Sequence, residues 1–256
     1  MESNQSNAAA VRAFRVLEVV AEQADGCALA QVVEAVGLPK QTVHRLVGQL
    51  QLAGLVVREP GTRRVQLAGR VERFALGALM NGPARTERHA ILGALVAEIG
   101  ETCNLAALAG TDVVYLDRVE TSWPLRMLLA PGSHVPLHAS ASGKLLLALL
   151  PRAQRDRLLR HLTLRGYTES TIVDRHALER ELAATRARRI GINRAEHLQG
   201  MYGIAVPVML DRRRACAAVA VQAPVGRVQL EDLMAHVPRL VKAAGRIAST
   251  LGAGQA

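Results

Sequence analysis

The sequence predicts an α+β protein in two parts: a small helical head closed by a hairpin, then a larger domain built on an antiparallel sheet. Three observations carry that expectation. The run LAQVVEAVGLPKQTVHRLVGQLQLAGLV, Leu29 to Val56, holds two short helical patterns broken once, at Gly37-Leu38-Pro39. Immediately after it, LVVREPGTRRVQLAG alternates on either side of a cluster of turn residues. Beyond Cys103, short apolar or alternating runs come in pairs around tight turns, with helical segments set apart from them.

The bulk numbers set the frame. A chain of 256 residues fits one large domain or two smaller ones with real cores. Half the residues are hydrophobic and 2% are aromatic, so those cores are aliphatic. The absence of any run of eighteen apolar residues excludes a membrane span. MESNQSNAAAVRAF lacks the layout of a secretory signal. Cys27, Cys103 and Cys216 stand far apart with no CxxC pair, which argues for a reducing compartment and against a disulfide framework or a thiolate zinc site. The expectation is a cytoplasmic protein without a metal or cofactor.

The elements follow in order. Val11, Phe14, Leu17, Val20 and Ala21 recur at helical spacing between Ala8 and Gln23, and Asp25-Gly26 ends that helix. Leu29 to Val36 is a second helix with Gly37 as its left-handed cap. Pro39 suits the first turn of a third helix, running to about Ala53 with Val43, Leu46, Val47 and Leu50 facing inward. Two strands around Glu59-Pro60-Gly61-Thr62 complete a winged helix-turn-helix. Such a turn lets the third helix enter a major groove while the second braces across the backbone. Lys40, Gln41, Thr42, His44 and Arg45 lie on its outward face, where base edges and phosphates of double-stranded DNA are within reach. Arg63 and Arg64, near the hairpin tip, suit phosphate or minor-groove contact.

Charge supports that reading more by position than by total. The formal net charge is +10, and all but Lys40, Lys144 and Lys242 of the 32 cationic residues are arginines. Residues 1–39 carry two cations against five anions, and residues 40–73 seven against two, so the balance reverses where the outward stripe begins.

Residues 68–82 form an amphipathic helix ending at Asn81-Gly82-Pro83, the best boundary in the chain, and Ala84 to Ile99 another, closed by Gly100. CNLAALAG and DVVYLDRVE form a hairpin around Gly110-Thr111. LRMLLAPGSHVPLHAS adds a strand and a loop, and SGKLLLALLP a helix stopped by Pro151. An arginine-rich helical stretch then runs to about Arg189. GIAVPVML and CAAVAVQAP flank Asp211-Arg212-Arg213, and one helix from Leu230 to Leu251 closes the chain.

Sharper chemistry fits poorly. HASASGKL has His138 where a phosphate loop needs glycine and Leu145 where it needs Ser or Thr. Neither Ser140 nor Ser142 has S-x-x-K spacing to Lys144, and no G-x-S-x-G occurs. His134 and His138 are four apart, but Pro136 between them forbids a shared helical face. Cys103 and Cys216 sit in apolar runs as small buried thiols. The class that competes with DNA binding is a cytoplasmic small-molecule binding or catalytic protein whose helix-turn-helix is purely structural.

LPKQTVHRLVGQLQLAGLV, VVYLDRVE, PGSHVPLHASASGKLLLALLP, and EHLQGMYGIAVPV with AAVAVQAP together resemble the IclR family of bacterial transcription regulators, and the resemblance covers nearly the whole chain. It implies a winged helix-turn-helix over residues 1–67, a linker helix used in dimerisation over 68–82, and a GAF-like effector-binding and oligomerisation domain over 83–256. The implied protein is no enzyme. It is a homodimer, pairing into a tetramer, that binds a pseudo-palindromic operator and represses or activates a catabolic operon in response to a small organic acid. The family's acid-binding position falls on the backbone N–H groups of Ala141 and Ser142, and an open helix N-terminus is an anion site on physical grounds too. Met127 and Val135 match apolar walls. Asn193, Met201 and Gly203 match positions around Glu196 to Gly200, and Ala220 and Gln222 positions on the last strand. Where the family presents an acidic residue, a thiol or hydroxyls, this chain has Asn193, Gly203, Ala220 and Gln222. The expected effector is therefore an acid with an aromatic or longer apolar body.

Overall fold

The computed structural model describes residues 9–23, 25–123, 129–212 and 214–252. They divide into two compact units that part between Ala78 and Leu79. Among the described residues no helix is long and apolar enough to cross a membrane.

In the first unit α1 (Ala9–Ala21), α2 (Leu29–Val36) and α3 (Lys40–Leu52) pack on one another and on the strands β1 (Val56–Arg58) and β2 (Val65–Leu67). The core is almost all branched aliphatic: Val16, Val20, Val32, Val43, Leu46, Val47, Val56 and Val65 are buried. Gly37 takes the left-handed cap expected of it, with φ of 68° and its N–H on the Val33 carbonyl at 3.0 Å. Pro39 stands one place earlier than expected, as the residue before α3. The inward face of α1 differs from the expected stripe. Val16 and Val20 are buried, while Phe14 is 57% and Val11 43% exposed. Apolar residues cover so wide an arc of this helix that spacing alone could not choose the seam.

The hairpin docks on the α1–α2 connection. Cys27 and Val65 exchange both backbone bonds at 2.8 Å. Gly26 makes that approach feasible, since a Cβ there would stand 2.6 Å from Gln66 Cγ and 2.9 Å from the Val65 carbonyl oxygen, at φ of +72°. The helix α4 (Gly69–Asn81) follows, and Arg70 Nη1 donates to the Ala53 carbonyl at the end of α3 at 2.7 Å.

The second unit holds α5 (Arg85–Ile99), β3 (Thr102–Ala109), β4 (Asp112–Val119), β5 (His134–Pro136), α6 (Ala141–Leu149), α7 (Arg152–His161), α8 (Arg175–Arg188), β6 (Gly191–Arg194), β7 (Met201–Met209), β8 (Ala215–Pro224), α9 (Leu230–Ala235) and α10 (Val237–Ser249). The strands form one six-stranded antiparallel sheet in the order β5-β4-β3-β8-β7-β6. One face packs on α6, which α8 covers in turn; α5 and α10 pack on β3, β4, β7 and β8 from the opposite side. Three expectations change here. The arginine-rich stretch is two helices, parted by residues 162–174 and restarted by Asp174, whose carboxylate accepts from Ala177 N at 2.6 Å. The closing helix is likewise two, broken at His236-Val237-Pro238, where proline removes a donor. The strand β6 was not foreseen.

Helix α6 is the centre of this unit, with every residue from Ala141 to Ala148 buried. Its start explains the HASASGK string. Ser140 Oγ accepts from Gly143 N at 3.1 Å and donates to the Pro136 carbonyl at 2.8 Å. A Cβ on Gly143 would lie 2.2 Å from the Leu137 carbonyl oxygen, so only glycine fits. Lys144 is fully buried, and its Nζ donates to Glu196 Oε1 and Oε2 at 2.5 and 2.7 Å. Glu181 on α8 lies 3.6 Å from the same ammonium. Burial pushes the Glu181 carboxyl up, but Lys144 first and then Arg188 outweigh it and hold the group below its ordinary value of 4.5.

Two outcomes test this arrangement. Lys144→Met, which leaves Glu196 buried without its cation, is expected to lower unfolding free energy by about 3–5 kcal/mol in chemical denaturation. Because the Glu181 pKa is depressed by folding, its contribution is intact above pH 4.5 and is lost as pH falls through the lowered folded-state value. In Lys144→Met the largest partner is gone, so acid unfolding should show a weaker contribution from this carboxylate.

Candidate functional site: nucleic-acid interface and ligand pocket

The first surface is the outer side of α3. Burying Val43, Leu46, Val47 and Leu50 turns Lys40, Gln41, His44 and Arg45 outward, and all four are exposed; Thr42 is half-buried at the helix margin. At the hairpin tip Arg63 is exposed and adopts a φ of 55°, held by its N–H on the Glu59 carbonyl at 3.0 Å. Arg64 departs from expectation. Its Nε donates to the carbonyls of Asp25 and Gly26 at 3.0 and 3.1 Å, and Nη2 to Gly26 at 2.8 Å. The guanidinium thus clamps the hairpin to the α1–α2 connection, so Arg64 is a structural arginine and not a free phosphate ligand. The sequence could not separate two adjacent arginines whose side chains leave the hairpin in different directions.

The second surface lies where α6 begins over the sheet. The N–H groups of Ala141 and Ser142 open the helix, where no intrahelical partner exists. Both residues are buried. Below them the sheet is stripped of side chains. A Cβ on Gly203 would lie 3.9 Å from Ala141 Cβ and 3.4 Å from Gln222 Cγ, so Ala141 and Gln222 face each other across this glycine. Ala220 pairs with Ala205, which pairs with Gly191. On Gly191 a Cβ would fall 2.0 Å from the Ala141 carbonyl oxygen. Small residues thus let the helix and sheet backbones close on one another.

Beyond this floor stands a polar wall. Gln222 Nε2 donates to the Tyr115 hydroxyl at 2.8 Å. Burial pushes the Tyr115 phenol up, so it stays protonated at neutral pH. Arg118 Nη1 donates to Asn104 Oδ1 at 2.8 Å, and the Arg118 guanidinium lies 5.9 Å from the Tyr115 ring centre. Arg118, Gln222, Met201, Thr102 and Arg227 line a narrow cleft that is closed to a water-sized probe. Arg227 is pinned by both oxygens of Glu101 at 2.6 and 2.7 Å and stacks on Trp123.

Of the expected pocket residues, Ala141, Gly203 and Gln222 come together, with Ala220 two register positions away and Met201 half-buried in the cleft. Val135 is buried in the core beneath α6. Met127 lies outside the described residues. Asn193 Oδ1 accepts from Glu196 N at 2.8 Å, which fixes the turn carrying the Lys144 partner. The sequence missed Tyr115, Asn104 and Arg118. A bulge explains the last. Ala106 pairs with Tyr115 and Asn104 with Arg118, so these two β4 residues share a face although they are three apart, where strict alternation would have placed Asp117 there.

An exposed cationic helix in a winged fold, joined in one chain to a separate sheet domain, is the architecture of a helix-turn-helix transcriptional regulator. Residues 9–60 match the IclR helix-turn-helix domain, and residues 77–249 match the domain described as bacterial transcriptional regulator IclR C-terminal. The chain belongs to the IclR family, whose members are transcriptional regulators and not enzymes. It is 55% identical over 248 residues to the probable transcriptional regulator SauR of Cupriavidus necator, covering 97% of this chain and 98% of that one. Identity to the transcriptional repressor IclR of Escherichia coli is 31%, over 94% of this chain and 89% of the relative. A solved IclR homologue from Microbacterium hydrocarbonoxydans, complexed with 4-hydroxybenzoate, superposes with a TM-score of 0.58 at 25% identity, covering 96% of this chain and all of that one.

Two glycine substitutions distinguish packing from pocket. Gly191→Ala drives a methyl into a carbonyl and should cost about 1–3 kcal/mol in calorimetric unfolding. Gly203→Ala meets its neighbours at 3.3 Å or more, so stability should change far less while ligand affinity falls.

Proposed function

We propose that the chain is an effector-responsive regulator of a catabolic operon, a cytoplasmic homodimer pairing into a tetramer on a pseudo-palindromic operator. The observation that carries the reading is the opening of α6 over the Gly203 floor, in a chain that also exposes Lys40, Gln41, His44 and Arg45 on α3. Each α3 enters a major groove, and the two-fold axis of the dimer, formed through α4 as linker helix, spaces the half-sites. Arg45, with Gln41 and His44, reads base edges; Lys40, Thr42 and Arg63 take phosphates.

The effector is an organic acid. Its acid group sits on the N–H groups of Ala141 and Ser142, and its body, aromatic or longer-chained, lies across Gly203 toward Gln222. The hydroxybenzoate in the Microbacterium relative, an acid with a hydroxyl at its far end, supports this class. A wholly apolar body would strand the polar wall, so the far end carries a polar group. Operator and effector binding are linked equilibria, so each changes the other's affinity by the same factor.

Selection from random duplexes at near-physiological salt is expected to enrich an inverted repeat, with pooled organic acids shifting the yield. Recovery of unenriched DNA under both conditions would overturn the reading. Arg45→Ala should weaken specific binding by about 1–3 kcal/mol and relax selection at one position, leaving random DNA little affected. Arg63→Ala should flatten the salt dependence of binding by roughly one phosphate contact. Arg64→Ala should instead lower the melting temperature of the first unit.

A further inference from the structure

A cavity of about 260 Å³ opens between the β3–β4 turn, the segment after β5 and the loop that follows α7. Asp112, Pro136, His138, His161, Arg165 and Tyr167 are among its walls, and none of its lining residues belongs to the pocket assigned at the start of α6. The volume suits a small metabolite. His138 is 2% exposed, and its ring stands among these residues: Nε2 meets the Arg165 carbonyl at 2.9 Å, and the ring centre lies 6.0 Å from that of Tyr167. A carbonyl only accepts, so Nε2 carries the proton, and Nδ1 of the neutral ring is left as an acceptor. That Nδ1 is buried without a partner among the described residues. Buried acceptors are rarely left bare, so a donor from a bound molecule is called for.

Two groups of opposite charge share the cavity. The Asp112 carboxylate lies 3.7 Å from His134 and is 51% exposed, which leaves room for further donors. Arg165 is exposed, lies 5.5 Å over the Tyr167 ring centre and pairs with no acidic residue among those described. The carboxylate and Nδ1 only accept, whereas the guanidinium only donates. An ammonium, which only donates, matches the first two; a carboxylate, which only accepts, matches the third.

We propose that this cavity is a second small-molecule site and that its ligand is a free amino acid. Asp112 and His138 Nδ1 hold the ammonium, and Arg165 holds the carboxylate. The site stands apart from the pocket at α6 and does not depend on it.

Isothermal titration of the full-length protein with the common amino acids at millimolar concentration tests it. At least one is expected to bind about tenfold or more tightly than its amine and carboxylic-acid counterparts, each of which lacks one head. Asp112→Asn and Arg165→Gln, whose side chains reach solvent, should each weaken that binding about tenfold or more and leave the melting temperature in place. In the unaltered protein, the ring-nitrogen NMR signal of His138 Nδ1 should shift as the bare acceptor gains a donor. Ala141→Pro, which removes an N–H at the start of α6, should leave amino-acid affinity unchanged. A loss there, with the melting temperature kept, would put the ligand in the α6 pocket and overturn the second site. Failure of every amino acid to bind, equal binding of a one-headed counterpart, or affinity untouched by Asp112→Asn and Arg165→Gln also overturns it, and each leaves the α6 pocket standing.

Discussion

The buried ammonium of Lys144 is the constraint around which the effector unit is arranged. It sits in the helix at the centre of the unit and is held by Glu196 from the β6–β7 turn, with Glu181 of α8 close by. Such a pair adds little net stability compared with a well-packed apolar alternative, because taking both charges out of water is costly. It does allow only one placement, since any shift of α6 along the sheet separates the charges. The turn bearing Glu196 is fixed independently: Thr171 and Thr168 donate to the carbonyls of Glu196 and Ala195 at 2.6 and 2.7 Å, and Asn193 accepts from Glu196 N. The helix N-terminus is thus located by a charge pair whose partner is itself held from three sides.

Fixing the helix at that height demands a floor without side chains. Gly143 lets α6 close on the Leu137 carbonyl, Gly191 lets β6 pass beneath Ala141, and Gly203 lies under Ala141 with the Val221 carbonyl 3.3 Å from where a Cβ would stand. Small residues at these positions let the helix and sheet backbones approach beneath the first N–H groups of the helix. The thiols stay outside this chemistry: burial drives the Cys103 thiol strongly up and the Cys216 thiol up to about 11, so neither ionises at neutral pH.

The head obeys a similar economy with arginine. Arg45 and Arg63 face outward, while Arg64 is spent inside the unit on two carbonyls. Wing position therefore depends on a residue that looks, by charge alone, like a DNA contact. A basic patch counted from sequence overstates the contact surface by any arginine the fold retains for itself.

The sequence by itself determined the helix pair around Gly37, the inward face of α3, the hairpins and the split between head and sheet domain, because these depend on local periodicity and on turn residues with one allowed conformation. It also exposed the HASASGK string as unusual, but not its reason. Only the tertiary structure decided that Lys144 meets Glu196 across 52 positions, that a bulge swings Arg118 rather than Asp117 toward the helix, and that Arg64 and Asn193 serve the fold. It also decided which side of α1 is buried, and that β6, supported by no alternation of its own, is a strand. Each of these is a partner lying far away in the chain, and local spacing carries no record of a contact that exists only once the backbone has folded to bring the two residues together.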